Sequence, residues 1–237
     1  MAIANIFRLK QVQYMANNLD LTSRLLGHVF GDGSIHKNKK YFIYTNATPE
    51  LQTEVKDIVM KIFGKVPFNI GTSIAGTPRY QYSNKVGYAL CKRGAPAGSR
   101  VLQKTFIPAW VYNGNNKTKA SFLGALFDDD GYLRDSKRSR AIVLKATKIH
   151  YLEDNLRDYL NQIREMLESL GICTSEIKFD QLKSRKDGCE MLSLRFWIIG
   201  KENIIKFKEG IPLSHPSKKV KFSDLFVGNH QVNGEGA

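Results

Sequence analysis

The chain has 237 residues, 42% hydrophobic and 11% aromatic, enough to bury a sizeable core as one large domain or two small ones. Its 36 Lys+Arg against 22 Asp+Glu leave a net charge of +14, which favours a polyanionic partner: nucleic acid first, an acidic membrane surface second. A membrane-spanning chain is excluded by the lack of any run of 18 apolar residues, and the N-terminus shows no signal-peptide core, so the expectation is an intracellular, cytoplasmic protein.

The first clear element is "RLLGHVFGDGSI" (residues 24–35), an amphipathic helix that stops at Asp32-Gly33. "SIHKNKKYFIYTNATPEL" alternates basic and apolar residues around a Lys-rich turn and predicts a hairpin. "TPELQTEVKDIVMKIFG" is a helix with Thr48 as N-cap, Pro49 at the first position and Gly64 as its stop. Two strands in "VPFNIGTSIAGTPRYQYSN", a short helix "KVGYALCKRG" and the segment "SRVLQKTFIPAWVYN" complete the first half.

"NGNNKTK" (residues 113–119) is a polar linker, dividing the chain into an N-terminal unit (1–112) and a C-terminal unit (120–237). In the second unit "SFLGALFDDDGYL" (residues 121–133) repeats the helix that ends on Asp-Gly, Asp130 lying 98 residues after Asp32. A basic hairpin, an amphipathic helix ended by Gly171, a strand pair with the turn "KSRKDG" and a short helix follow in the same order as before. "IPLSHPSKKVKFSDLF" closes the unit, and "GNHQVNGEGA" is a disordered tail.

Gly27 and Gly31 lie four apart on one helix face, which lets another helix backbone approach closely. The partner is the second motif helix, with Ala125 set opposite Gly27 and Asp129 opposite Gly31. Side-by-side packing brings Asp32 and Asp130 together at two helix C-termini, where partial negative charge makes a carboxylate unfavourable unless a cation sits there. Carboxylates and terminal carbonyls are hard oxygen ligands suited to Mg²⁺, Ca²⁺ or Mn²⁺. Gly33 and Gly131 are expected to end the helices in the left-handed conformation. Three cysteines without a C-x-x-C pair exclude a structural zinc of that kind, and Cys173 is expected in the core. The five histidines are scattered and form no zinc or HNH-type constellation.

With "LLGHVFGDG" (residues 25–33) and "LGALFDDDG" (residues 123–131) in place, the chain resembles a LAGLIDADG homing endonuclease of the single-chain, two-motif type, as encoded in archaeal ribosomal RNA introns. That resemblance covers nearly the whole chain. It implies an α+β fold of two pseudo-symmetric αββαββα subdomains, with the motif helices packed at their interface and two antiparallel DNA-binding sheets. Two residues depart from the family pattern: His28 replaces an aliphatic residue and Asp129 a small one. Asp129 is therefore a rival to Asp130, although the residue directly before glycine is favoured, and replacing Asp129 by alanine is expected to keep activity.

The resemblance further implies a Mg²⁺-dependent endonuclease, with Mn²⁺ able to substitute and Ca²⁺ binding without supporting cleavage. Asp32 and Asp130 would ligate the metal, helped by the backbone carbonyls of Gly31 and Asp129. Asn46 and Lys145, each followed by Ala-Thr, and Lys104 and Lys219 would complete the catalytic set, with Lys218 and Lys221 as rivals to Lys219. The sheets would read double-stranded DNA in the major groove. Ser34, His36, Lys37, Asn38, Tyr80, Gln81 and Tyr82 belong to the first sheet; Arg134, Arg138, Arg140, Lys178, Gln181, Lys183, Arg185 and Arg195 belong to the second. A monomer is expected, since one chain supplies both acids. The alternatives are an intron maturase that binds its own RNA, which nothing in the residues indicates, and a non-catalytic nucleic-acid-binding protein; both intact acids favour the nuclease. An intein endonuclease is disfavoured by the starting Met and the lack of a terminal His-Asn pair.

Overall fold

The computed structural model describes residues 15, 18–136, 139–185 and 187–224. The first half contains α1 (Leu19–Phe30), β1 (Gly33–Ile35), β2 (Phe42–Thr45), α2 (Pro49–Phe63), β3 (Phe68–Thr72), β4 (Pro78–Tyr82) and α3 (Asn84–Lys92). A short α4 (Ala109–Tyr112) leads to the second half: α5 (Asn116–Asp129), β5 (Gly131–Ser136), β6 (Ser139–Ile149), α6 (Glu153–Ser169), β7 (Lys178–Ser184), β8 (Glu190–Ile199) and α7 (Lys201–Gly210), followed by α8 (Pro216–Asp224). Both halves fold into a four-stranded antiparallel sheet of the same topology, β1-β2-β4-β3 and β5-β6-β8-β7. The repeat read from the sequence is a repeat in space.

Local sequence explains the boundaries. Pro49 opens α2 because its missing N–H is an orphan at that position anyway, and Gly64 at φ +71° ends it. Thr48 flanks the helix without a side-chain cap bond; its own N–H goes to Asn46 Oδ1 at 2.7 Å. Asn115 Oδ1 accepts from the Thr118 N–H at 2.9 Å, so residues 116–119 of the expected linker are the first turn of α5.

The seam between α1 and α5 is set by missing side chains. A Cβ placed on Gly27 would lie 2.6 Å from the Ala125 Cβ, and one on Gly31 would lie 2.5 Å from Asp129 Oδ2. Both pairings match the opposition read from the sequence. Gly33 and Gly131 correct another expectation: neither is left-handed. Each opens a strand so close to the preceding helix that a Cβ would meet backbone, at 2.7 Å from the carbonyl oxygens of His28 and Phe127 respectively. Close approach, not handedness, requires glycine there.

One continuous core runs through both halves. Phe30 of α1 reaches across to pack edge-on against Phe122 and stacked against Tyr159 of α6. Cys173 is exposed rather than buried, because Ile172 beside it takes the core position after α6 ends. All three cysteines are free. Among the described residues, no helix is long and apolar enough to cross a membrane.

Candidate active site and nucleic-acid interface

Asp32 and Asp130 sit at the C-terminal ends of α1 and α5, as the packing of the two helices requires. Solvent reaches both side chains, yet protein surrounds them on most sides. That desolvation, followed by the charge of Asp129, pushes the Asp32 pKa up to about 6, against an opposing hydrogen bond from Asn46. Desolvation and then the Asp32 charge push Asp130 up to about 7. Mutual repulsion among the acids is thus a property of the folded chain.

Two cations answer this charge. The Arg100 guanidinium donates to the carbonyl oxygens of Val29, Gly31 and Gly33 at the end of α1. Lys218 Nζ donates to Phe127 O at 2.9 Å, Asp128 O at 2.5 Å and Asp129 O at 3.5 Å at the end of α5. Each therefore caps the negative end of one seam helix, and both lower the pKa of Asp32 and Asp130. The carbonyls of Gly31 and Asp129, expected to face a metal, face these cations, each keeping a second lone pair.

Asn46 of the first half is buried and donates from Nδ2 to Asp32 Oδ2 at 2.7 Å. Lys145 is not its counterpart. Gly33 pairs with Tyr44 and Gly131 with Leu144, so the register makes Ala146 the partner of Asn46 and turns Lys145 to the opposite face, 3.2 Å from Asp180. Lys104 is exposed, and it is Arg100, four residues earlier, that reaches the Gly31 carbonyl at the end of α1. Lys219 is likewise exposed and lines a groove with Asn116 and Pro212, while its neighbour Lys218 reaches the helix end. Lys221 is exposed.

Asp129 is held from several sides. Its carboxylate, fully buried, accepts from Tyr44 Oη at 2.6 Å and from the Asp32 N–H at 3.2 Å, and lies 3.1 Å from His28 Nδ1. His28 is completely buried. Burial alone would lower its pKa, but Asp129, by charge and hydrogen bond, and then Glu54 raise it to about 9. Glu54 is held well below the usual carboxylate range by hydrogen bonds from His28 and Arg24, although burial opposes this. Arg24 in turn joins Glu54 at 2.8 Å and Asp128, and donates to Pro212 O at 2.6 Å, binding the halves together.

Strand alternation sorts the expected DNA contacts. On the first sheet Ser34 and Gln81 share the open face, Gln81 opposite Ile43. Tyr80 and Tyr82 point the other way: Tyr82 is 1% exposed, stacks on Phe42 and lies tilted against Phe68, and Tyr80 packs against the core. Apolar-in alternation across "RYQY" carried that signal. Arg79 and Asn69, flanking Gln81's row, are open-face residues the sequence reading missed. His36, Lys37 and Asn38 form the turn after β1, where Asn38 N–H donates to His36 Nδ1 at 3.3 Å.

On the second sheet Arg134, Lys178, Gln181, Lys183 and Arg195 share the open face with Lys145. Asp180, at a bulge, holds Lys145 and Arg195 (2.6 Å), and the Arg195 guanidinium lies over Trp197 at 5.0 Å. Arg140 pairs with Asp135 and Arg185 with Asp187, both at 3.2 Å near strand ends. Arg138 lies outside the described residues.

No group of three or more His, Cys, Asp or Glu side chains among the described residues forms a cage for an ion. The donor set still fits Mg²⁺, which retains several waters and is commonly held by one or two carboxylates plus phosphate oxygens. Asp32 and Asp130, each with a pKa raised by burial and then by the neighbouring acids, would supply those carboxylates.

Residues 117–212 match the LAGLIDADG-like domain family. Among curated proteins, a tRNA-splicing ligase RtcB from Methanopyrus kandleri is 32% identical over 133 residues, 55% of this chain and 13% of that protein. The ribonucleoside-diphosphate reductase NrdEB subunit alpha of Bacillus subtilis is 25% identical over 164 residues, 64% of this chain and 14% of that protein. The chain thus spans about one seventh of the length of these relatives. Among solved structures, the homing endonuclease I-DmoI in complex with DNA and Ca aligns over 87% of this chain and 98% of its own, with TM-score 0.57 and 16% identity. DUF199/WhiA from Thermotoga maritima aligns over 92% of this chain and 62% of its own, with TM-score 0.55 and 11% identity. At these identities the structures establish the shared fold.

Proposed function

Because the second half is a LAGLIDADG-like domain and the first half repeats its architecture, we propose that the chain is a site-specific homing endonuclease. It would hydrolyse one phosphodiester on each strand of a long, asymmetric DNA site with a divalent ion. The observation that carries this reading is the pair Asp32 and Asp130 at the ends of the seam helices, their pKa values raised to about 6 and 7, with Arg100 and Lys218 beside them. Such repulsion is unfavourable unless a cation and a phosphate are to be received there.

When bound between these carboxylates, Mg²⁺ would lower the pKa of a coordinated water and offset charge developing on the phosphate. Asp32 and Asp130 would hold the ion, and Asn46 fixes the Asp32 carboxylate by its hydrogen bond to Oδ2. Arg100 and Lys218, close enough to lower the pKa of both acids, would place positive charge near phosphate oxygens. The two open sheet faces, bearing Ser34, Gln81 and Arg79 in one half and Arg134, Lys178, Gln181 and Arg195 in the other, would follow the major groove on either side. Their different residues would make the site asymmetric. One chain supplies both acids, so a monomer suffices.

Two further facts support the reading. I-DmoI structures were solved with DNA and with Ca, Mn or Mg. The stretches that match lie within proteins named for unlike activities, as expected of a coding unit that moves between hosts. DNA spanning the insertion locus is expected to be linearised with Mg²⁺ and bound intact with Ca²⁺; cleavage that survives EDTA would contradict the metal-dependent reading.

A further inference from the structure

The seam is asymmetric at the point where the acids sit. Asp129 takes the position of Gly31 in the other motif, and its side chain fills the space that Gly31 leaves open. From there it crosses into the first half and accepts the Asp32 backbone N–H at 3.2 Å and Tyr44 Oη at 2.6 Å. His28 backs it at 3.1 Å, and Glu54 lies 3.5 Å behind His28. Among the described residues, no buried acid of the first half reaches across to the Asp130 N–H in the same way. The positions matching His28, Tyr44 and Asn46 are Leu126, Leu144 and Ala146, which line a cavity of about 360 Å³ beside Asp130. Among the described residues, no side-chain hydrogen bond to the Asp130 carboxylate occurs, and its N–H goes to Leu126 O within its own helix at 2.9 Å.

We propose that Asp129, backed by His28, is a positioning residue that fixes Asp32 from across the seam and makes the two acids unequal, so that the strand served by Asp32 is cut first. This rests on the endonuclease reading. A carboxylate whose backbone and side chain are both held spends more of its time in one geometry, and such preorganisation raises rate without new contacts to substrate. Asp130, beside a cavity that Arg100 and Lys148 also line, has no such side-chain hydrogen bonds among the described residues and is ordered when ion and DNA arrive.

The test uses the double variant His28→Leu/Asp129→Ala, which restores an aliphatic and a small residue. It removes both partners of a buried charged pair and so is expected to fold, whereas Asp129→Ala alone would strand His28. In metal-free protein, exchange of the Asp32 amide hydrogen is expected to speed up by roughly tenfold or more, while that of the Asp130 amide stays as in wild type. With Mg²⁺ and target DNA, the ratio of nicking rates on the two strands is expected to shift by roughly tenfold against the strand served by Asp32. That strand is identified as the one slowed more by Asp32→Asn than by Asp130→Asn. An unchanged strand ratio, or an Asp32 amide that exchanges as in wild type, overturns the proposal. Wild-type protein that nicks neither strand of any duplex refutes the endonuclease reading instead, and amide exchange at Asp32 then decides the positioning role alone.

Discussion

His28 Nδ1 lies 3.1 Å from Asp129 Oδ2, across the seam between α1 and α5. These are the two residues that depart from the motif pattern, one in each copy, and each is buried where a lone charge would be costly. Each departure is explained by the other. His28 needs the carboxylate, and Asp129 fits only because Gly31 has no side chain.

Removing one partner of this pair is expected to destabilise strongly. Asp129→Ala leaves a buried imidazole and the Tyr44 hydroxyl without their acceptor, and a loss of about 3 kcal/mol is expected. The double variant His28→Leu/Asp129→Ala is expected to recover most of it. Urea unfolding of the three proteins checks this; additive losses would show that the pair is not coupled.

His28 also gives the pair a pH signature. Its folded pKa is raised from 6.5 to about 9. The folded state therefore holds its proton more tightly than the unfolded chain, and the stabilisation is complete below about pH 6.5 and lost as pH rises through about 9. Wild type is expected to lose stability over that window by more than His28→Leu/Asp129→Ala does, as read by denaturant midpoints from pH 6 to 10.

The acids predict the opposite partner for metal. Asp32 and Asp130 have pKa values raised to about 6 and 7, so the folded chain keeps protons that the unfolded chain has already released. Stability without metal is then expected to fall as pH rises from about 4 through 7. An ion that binds the ionised carboxylates offsets this, so Mg²⁺ or Mn²⁺ is expected to raise Tm more at pH 8 than at pH 5. A gain in Tm independent of pH would place the ion elsewhere.

The seam glycines are expected to tolerate no side chain. A Cβ on Gly27 would lie 2.6 Å from that of Ala125, so Gly27→Val should cost about 3 kcal/mol by forcing the helices apart. Gly71→Ala, which meets nothing within 4 Å, is expected to change stability by less than about 0.5 kcal/mol. Thermal unfolding of both variants tests the assignment.

Much of this was legible because it is periodic. The spacing of Gly27 and Gly31 and the recurrence of Asp-Gly predict α1 against α5, down to Ala125 and Asp129 as the facing residues. Other features depend on where the chain returns in space. Arg100 reaches the end of α1 from a 3₁₀ turn at Arg100–Leu102 that no pattern ties to α1. Lys218 and Lys219 are adjacent in a lysine-rich run, and only the phase of α8 selects Lys218. The shared Ala-Thr matches Lys145 to Asn46, whereas the strand register shifts the match by one residue and reverses its face. The pairing of His28 with Asp129 was within reach, since both departures and the opposition of the helices were already visible.

Asp32 and Asp130 are together proposed to make a metal-dependent site for cutting duplex DNA. The most direct test is a supercoiled plasmid pool carrying genomic fragments of the host, incubated with wild type, Asp32→Asn or Asp130→Asn in Mg²⁺ or EDTA. Wild type is expected to linearise one plasmid species in Mg²⁺ only. Each asparagine variant is expected to lose that linear product by a factor of roughly a hundred or more while still shifting the same plasmid's target fragment on a gel. Linear product that persists in EDTA, or in both asparagine variants, would contradict the account.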